Sequence, residues 1–247
     1  MDLNVTDLNV TEVGVGEPLV VFVHGVLDRG RSFQRVAELL APECHMLWYD
    51  RRGYGASADA PGVPVGVDAH VADLVALLDG RRAVVVGHSF GGVTAMGAAV
   101  RAPGSVAALV LYETGIAWAP GWDDRAVQGM LGADDPEEAG LRLMLRDRYD
   151  TLRDDPRIRR RLGAAAFVAE ERSVRTGVPP YDVAGIRAPV VYGQGDSYVM
   201  RTASDFLAGR VARVEVITIP GADHVAHRSA PEAFAGLVRR GLELARG

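Results

Sequence analysis

The chain of 247 residues contains no lysine: all 27 of its basic residues are arginines. That absence excludes a Schiff-base or pyridoxal-phosphate lysine and a P-loop lysine. Cysteine is almost absent as well. Cys44 stands alone, so an intramolecular disulfide and a cysteine-based zinc site are both excluded. Next to the apolar stretch 46–49 it reads as a small buried residue, not a reactive thiol. No apolar run approaches the roughly 20 residues needed to cross a membrane. The acidic N-terminus lacks the basic-then-apolar run of a secretion signal. The Asn-x-Thr triplets at Asn4 and Asn9 arise from the echo LNVTDLNVT, which reads as a small hairpin or two edge strands. Positive charge is in deficit, with a net charge of −5, which argues against nucleic acid or an anionic membrane as partner. The balance of Ala, Gly, Val and Arg suggests a GC-rich, bacterial coding sequence. A cytoplasmic protein, monomeric or homodimeric, is expected.

What is present is an alternation. Leu19–Val23 and residues 46–49, 83–86, 107–112, 189–192 and 214–219 read as strands, and several of them are apolar on both faces. Residues 32–40, Val67–Leu78, 93–100 and 232–245 carry helical spacing between them. Strands of this kind separated by helices predict an α/β fold, a mostly parallel central sheet covered on both sides. The length suits one domain with an insertion. The alternation breaks once. Residues 117–186 contain no strand pattern, only helical stretches such as 137–153 with an apolar stripe at 141, 144, 145, 149 and 152. This reads as a helical lid set into a core of residues 1–116 and 187–247. The charge run 153–161, beside Asp150, Asp154 and Asp155, reads as a solvated face.

Residues 83–92, AVVVGHSFGG, hold Ser89 between Gly87 and Gly91 where a strand meets a helix. So short a turn forces the serine into a strained conformation and pushes its hydroxyl out of the sheet, and a Cβ at either glycine would collide with its neighbours. The helix start aims free N–H groups and a positive dipole end at the same place. A serine hydroxyl needs a base, and the base needs an orienting acid. Among the six histidines, His24 and His88 read as structural, His45 and His70 lack a partner motif, and His224 and His227 lie in the loop before the last helix. A metal pair from His224 and His227 has no evident third ligand, so neither metal nor cofactor is expected.

The segments VFVHG (21–25), DRRGYGAS (50–57), GHSFGG (87–92), YGQGDSYV (192–199) and PGADHVAHRSAPEAF (220–234) occur in the order found in the α/β-hydrolase superfamily. The chain resembles that superfamily along nearly its whole length, and within it the lid-bearing small-molecule esterase-like group. The lid itself carries no recognisable signature. The resemblance implies an α/β-hydrolase fold, Ser89 as nucleophile and His224, after Gly221-Ala222-Asp223, as general base. It implies an oxyanion hole formed by the N–H groups of Val26 and Phe90. Asp196 is the favoured orienting acid, giving the order Ser89, Asp196, His224. Glu113, directly after the preceding core strand, is the rival, because some members of the superfamily place the acid there. Asp50, Arg52, Gly53 and Gly55 match a family turn that braces the pocket.

The reaction expected from this set is cleavage of an ester, lactone or thioester of a largely apolar small molecule through an acyl-enzyme intermediate. An aspartate at position 89 would instead have suggested dehalogenase or epoxide-hydrolase chemistry. His24, Gly25, Trp118, Trp122 and Met144 are candidate pocket residues, with Met130, Leu141, Leu145 and Phe167 as further lid residues for core docking or substrate. Two alternatives stay open: a non-hydrolytic reaction of the same triad (C–C cleavage, acyl transfer, cyclisation or cofactor-free elimination), and a ligand receptor with an idle triad.

Overall fold

The computed structural model describes residues 5–152, 154–155, 160, 162–196 and 198–247. Seven strands lie in one sheet: β1 (Val10–Val13), β2 (Leu19–Val23), β3 (His45–Tyr49), β4 (Ala83–His88), β5 (Val106–Tyr112), β6 (Val190–Gln194) and β7 (Val214–Thr218), in the order β1-β3-β2-β4-β5-β6-β7. Every pairing is parallel except β1 with β3. The α/β-hydrolase fold expected from the sequence is present.

Burial follows position in the sheet. Every residue of the central strands β2, β4 and β5 is buried, whereas the edge strands β1 and β7 are largely exposed or half-buried. Alternation then divides the core in two. Leu19, Val21, Val85 and Leu109 pack on one face, with Leu74 and Leu78 of α2 (Val67–Leu78) and Met96 of α3 (Phe90–Arg101). Val20, Phe22, Val84 and Val110 pack on the other, with Leu40 of α1 (Gln34–Leu40) and Phe234 and Val238 of the C-terminal helix Pro231–Arg246.

Three segments differ from what their sequence predicts. The echo at the N-terminus does not form a hairpin. Residues Val5–Asp7 make a 3-10 turn, and β1 pairs with the open edge of β3. The stretch 137–153 is not one helix. After α4 (Arg125–Leu131) comes α5 (Pro136–Leu145), then a break at Arg146 with φ +47°, then the short α6 (Tyr149–Leu152). With α7 (Ala164–Ser173), these fill the segment between β5 and β6, which holds no strand among the described residues. Third, Tyr198–Ala208 lies outside every helical stretch expected from the sequence, and it forms the helix α8 that links β6 to β7. No described helix is long and apolar enough to cross a membrane.

The strand order places the site. β2 and β4 are neighbours, but the chain leaves β2 for β3 on one side and β4 for β5 on the other, so their connections diverge and open a crevice at the carboxyl ends of the two strands. The loop after β2 begins at His24-Gly25-Val26, and the turn after β4 is Ser89.

Candidate active site

Ser89 adopts φ +51° and ψ −124°, a conformation that non-glycine residues rarely enter. The packing leaves it no alternative. A Cβ on Gly87 would come within 2.5 Å of the Gly92 Cα, and one on Gly91 within 2.1 Å of the Val23 carbonyl oxygen. Of the five described non-glycine residues with positive φ, three lie at neighbouring strand ends: Leu27 (+52°) after β2, Ser89 after β4 and Glu113 (+47°) after β5.

The strain at Glu113 has a visible result. Its side chain is 3% exposed, with Oε2 3.4 Å from His224 Nδ1 and Oε1 accepting from the Gly195 N–H at 2.7 Å. Asp196 is engaged elsewhere: it is exposed, and its Oδ2 accepts from the Gly221 N–H at 2.8 Å. The expectation that Asp196 holds His224 is thus corrected. The chain leaves β6 through Gly195, which runs so close to the next loop that a Cβ there would lie 2.2 Å from the Ala222 carbonyl oxygen. This path carries Asp196 past the histidine towards the base of its loop. Asp223, adjacent to His224, caps its own loop by accepting from Val225 N–H and Ser229 Oγ.

Side chains from the core steady the His224 loop. Tyr112 Oη donates to the Asp223 carbonyl at 2.7 Å, and His88 Nε2 lies 2.7 Å from the His224 carbonyl. Burial, and then the charges of His227 and His224, hold the His88 ring well below the usual imidazole pKa. It therefore stays neutral, and its Nε2–H donates to that carbonyl. His227, placed by the sequence in the loop before the last helix, lies in the short helix Ala226–Ser229, is fully buried and meets Asp28 Oδ2 at 3.2 Å. Asp28, His88 and His227 bring potential metal-ligand atoms within 4.8 Å of one another. Asp28 Oδ2 is also bonded to Ser32 Oγ at 2.9 Å, and His88 to the His224 carbonyl, so these groups already serve as a scaffold between two loops.

The opposite wall is the β2 loop. A Cβ on Gly25 would lie 2.9 Å from the Ser89 Cβ, so the backbone leading into Val26 runs directly against the serine. Neither the Val26 nor the Phe90 N–H has a hydrogen-bond acceptor among the described residues, and Phe90 opens α3, where helical N–H groups are free. Asp50 fixes this loop by accepting from the Gly30 N–H at 2.8 Å. Arg51, which no sequence signal singled out, ties it to the helical segment. Its Nε and Nη2 donate to the His24 and Gly25 carbonyls at 2.9 and 3.0 Å, and its Nη1 donates to Glu170 Oε1 on α7 at 2.5 Å. Burial would raise the Glu170 carboxyl, but the charges of Arg51 and His70 outweigh it and hold the group down at about 2. His24, a candidate pocket residue, is not one. It is fully buried, takes the Arg51 backbone N–H on Nε2 at 2.9 Å, and lines no cavity with Ser89. Burial, reinforced by Arg51, lowers its pKa to about 4.

Ser89, Glu113 and His224 line one cavity of about 150 Å³ together with Phe90, Trp118 and Trp122. Met130, Leu141 and Phe167 are buried in packing instead, and the Met144 side chain lies outside the described residues. On its other side, His224 borders a cleft of about 520 Å³ that also includes Val26 and Leu145.

This architecture agrees with a family-wide match. Residues 20–237 match the alpha/beta hydrolase family. The chain belongs to that family. Among curated proteins it is 40% identical over 142 residues to the lipase LipV of Mycobacterium tuberculosis, a match covering 55% of this chain and only about half (53%) of that protein. It is 27% identical to the 2-(acetamidomethylene)succinate hydrolase of Mesorhizobium japonicum, over 94% of this chain and 90% of the other. Among solved structures, an esterase from Thermogutta terrifontis superposes with a TM-score of 0.74 at 20% identity, covering 97% of this chain and 94% of that one. The chain is an enzyme of the alpha/beta hydrolase family.

Proposed function

We propose that the enzyme is a serine hydrolase that cleaves a small-molecule ester, lactone or thioester through an acyl-enzyme intermediate. Ser89 is the nucleophile, His224 the general base, and Glu113, not Asp196, the orienting acid. The observation that carries this reading is the contact between Glu113 Oε2 and His224 Nδ1 in the cavity that also contains the strained Ser89. A carboxylate on Nδ1 keeps the proton there, leaves Nε2 free to take the serine proton and stabilises the imidazolium that results. As Ser89 Oγ adds to the carbonyl, the Val26 and Phe90 N–H groups receive the developing oxyanion. His224 then gives its proton to the departing alcohol or thiol, and a water activated by the same ring releases the acid.

The two spaces beside His224 suggest how a substrate lies. The cavity at Ser89 is walled by Trp118 and Trp122 and has about the volume that accommodates a benzene ring in an apolar protein cavity. It suits a short, apolar acyl group. The leaving group, whose oxygen must reach His224, extends into the larger cleft. In this arrangement the helices between β5 and β6 act as a lid, since the loop leading into them carries Trp118 and Trp122, and α4 and α7 add Val127 and Glu171 to the same cavity.

The test is turnover of p-nitrophenyl acetate and butyrate. Wild type should release nitrophenol and place solvent oxygen in the acid when run in labelled water, and Ser89→Ala should abolish turnover without changing the circular dichroism spectrum. Activity retained in that variant removes Ser89 from the mechanism, and nitrophenol released without an equal amount of solvent-labelled acid points to acyl transfer instead of hydrolysis.

A further inference from the structure

The cleft on the far side of His224 is strongly cationic. Arg29, Arg31, Arg148 and Arg228 all line it, in a protein whose net charge is −5. They come from separate parts of the chain, the β2 loop, the turn before α6 and the segment that follows His224. None of the four has a carboxylate within ion-pair distance among the described residues; Arg31 spends its Nε on Gln34 Oε1 at 3.1 Å. The one acid lining the cleft among the described residues, Asp28, is already bonded to Ser32 and His227. Arg29 and Arg31 also border a separate cavity near Asp50, whereas Arg148 and Arg228 line the cleft at His224. Four arginines lining one cleft with no carboxylate paired to them among the described residues are suited to carboxylate or phosphate, as their planar forks match such oxygens in pairs.

We infer that this cleft binds the leaving-group half of the substrate and that this half carries an anion, most simply a carboxylate. The inference rests on the hydrolase reading and sharpens it. A small apolar acyl group enters between the tryptophans, and an acidic alcohol departs over His224 into the arginine-lined cleft. The charge of the cleft also draws such a substrate towards the histidine before contact.

The experiment compares p-acetoxybenzoate with p-acetoxybenzamide, which differ in one charge at the far end of the same leaving group. Wild type should prefer the carboxylate by about tenfold in kcat/KM, the scale of a charge-assisted contact. The ratio should fall about tenfold in the double variant R148Q/R228Q and recover in R148K/R228K. Raising the salt from about 0.1 M to about 1 M should also reduce it. Both arginines are exposed, so the substitutions leave the packing in place. Binding of p-hydroxybenzoate, followed by calorimetry, requires no turnover and should weaken in the glutamine variant by the same factor. A ratio and an affinity that do not respond to these substitutions would overturn the anion assignment while leaving Ser89-dependent ester hydrolysis intact. Loss of the Ser89 dependence would instead sink the hydrolase reading, and calorimetry would still decide whether the cleft takes an anion.

Discussion

Glu113→Gln is the substitution that bears most directly on the mechanism. The exchange is nearly isosteric, and the amide oxygen can still accept from the Gly195 N–H, so the local backbone keeps its partner. What is lost is the charge facing His224. At the observed separation of 3.4 Å, a unit charge acting on the imidazolium through an effective dielectric near 20 amounts to about 5 kcal/mol. Removed from the transition state alone, that corresponds to between three and four powers of ten in rate. The amide also offers an N–H to Nδ1 and favours the wrong tautomer, a defect that costs about ten-thousandfold in a comparable serine triad. Asp196→Asn should cost no more than about threefold, because Asp196 is exposed and an amide oxygen can replace its bond to the Gly221 N–H. The assay is kcat for p-nitrophenyl butyrate, with thermal melts to establish that both variants fold. A Glu113→Gln enzyme within tenfold of wild type, or an Asp196→Asn enzyme that loses orders of magnitude, would refute the assignment of the acid.

Two further outcomes concern stability. Glu170→Gln leaves the Arg51 guanidinium buried without its counter-ion, which should cost about 3–5 kcal/mol and lower Tm by about 10 °C; a melt unchanged within about 2–3 °C, roughly what 1 kcal/mol would produce, would show that Arg51 draws its compensation from the His24 and Gly25 carbonyls instead. His24 is neutral in the folded protein down to about pH 4 against an ordinary value of 6.5, so the unfolded chain binds the extra proton first as pH falls. Its contribution is complete above pH 6.5 and is lost progressively towards pH 4, in total about 3 kcal/mol, with His88 acting in the same direction. Urea midpoints should therefore fall between neutral pH and pH 4, and a flat profile over that range would show that the buried imidazoles do not titrate on unfolding.

The sequence was most legible where physics leaves few options. Strands β2, β4 and β5 are central, so both faces must be apolar, and their residues say so without ambiguity. The serine turn was equally plain, because Gly87 and Gly91 are positions where a Cβ would meet backbone within 2.5 Å or less. The acid was not. Two carboxylates follow two adjacent strands, Glu113 after β5 and Asp196 after β6, and both satisfy the order that the chemistry needs. The choice between them lies in the left-handed backbone at Glu113 and in the path that Gly195 takes past Ala222, neither of which has a signal in residue type. Arg51 and Glu170 were invisible for a related reason: 119 residues separate them, and only the docking of α7 shows that they are partners.

The strained strand ends at Ser89 and Glu113 differ from His224 in how they are held. The Ser89 N–H donates to the Tyr112 carbonyl at 2.9 Å and the Glu113 N–H to the Gly193 carbonyl at 3.0 Å, so the sheet ladder continues past the formal ends of β4 and β5 and fixes both backbones. Conformations costing about 1–3 kcal/mol each persist only when their surroundings over-determine them, and the ladder does so here. His224 has no such ladder. Its loop is steadied by two side-chain contacts to carbonyls, from Tyr112 and His88, and Tyr112 is itself the residue whose carbonyl holds Ser89. One residue of β5 thus links the Ser89 backbone to the His224 loop, and the next, Glu113, places its carboxylate 3.4 Å from His224 Nδ1. The register of a single strand end therefore sets the relative position of all three groups, which is why a change there should disturb catalysis more than any change on the tryptophan wall.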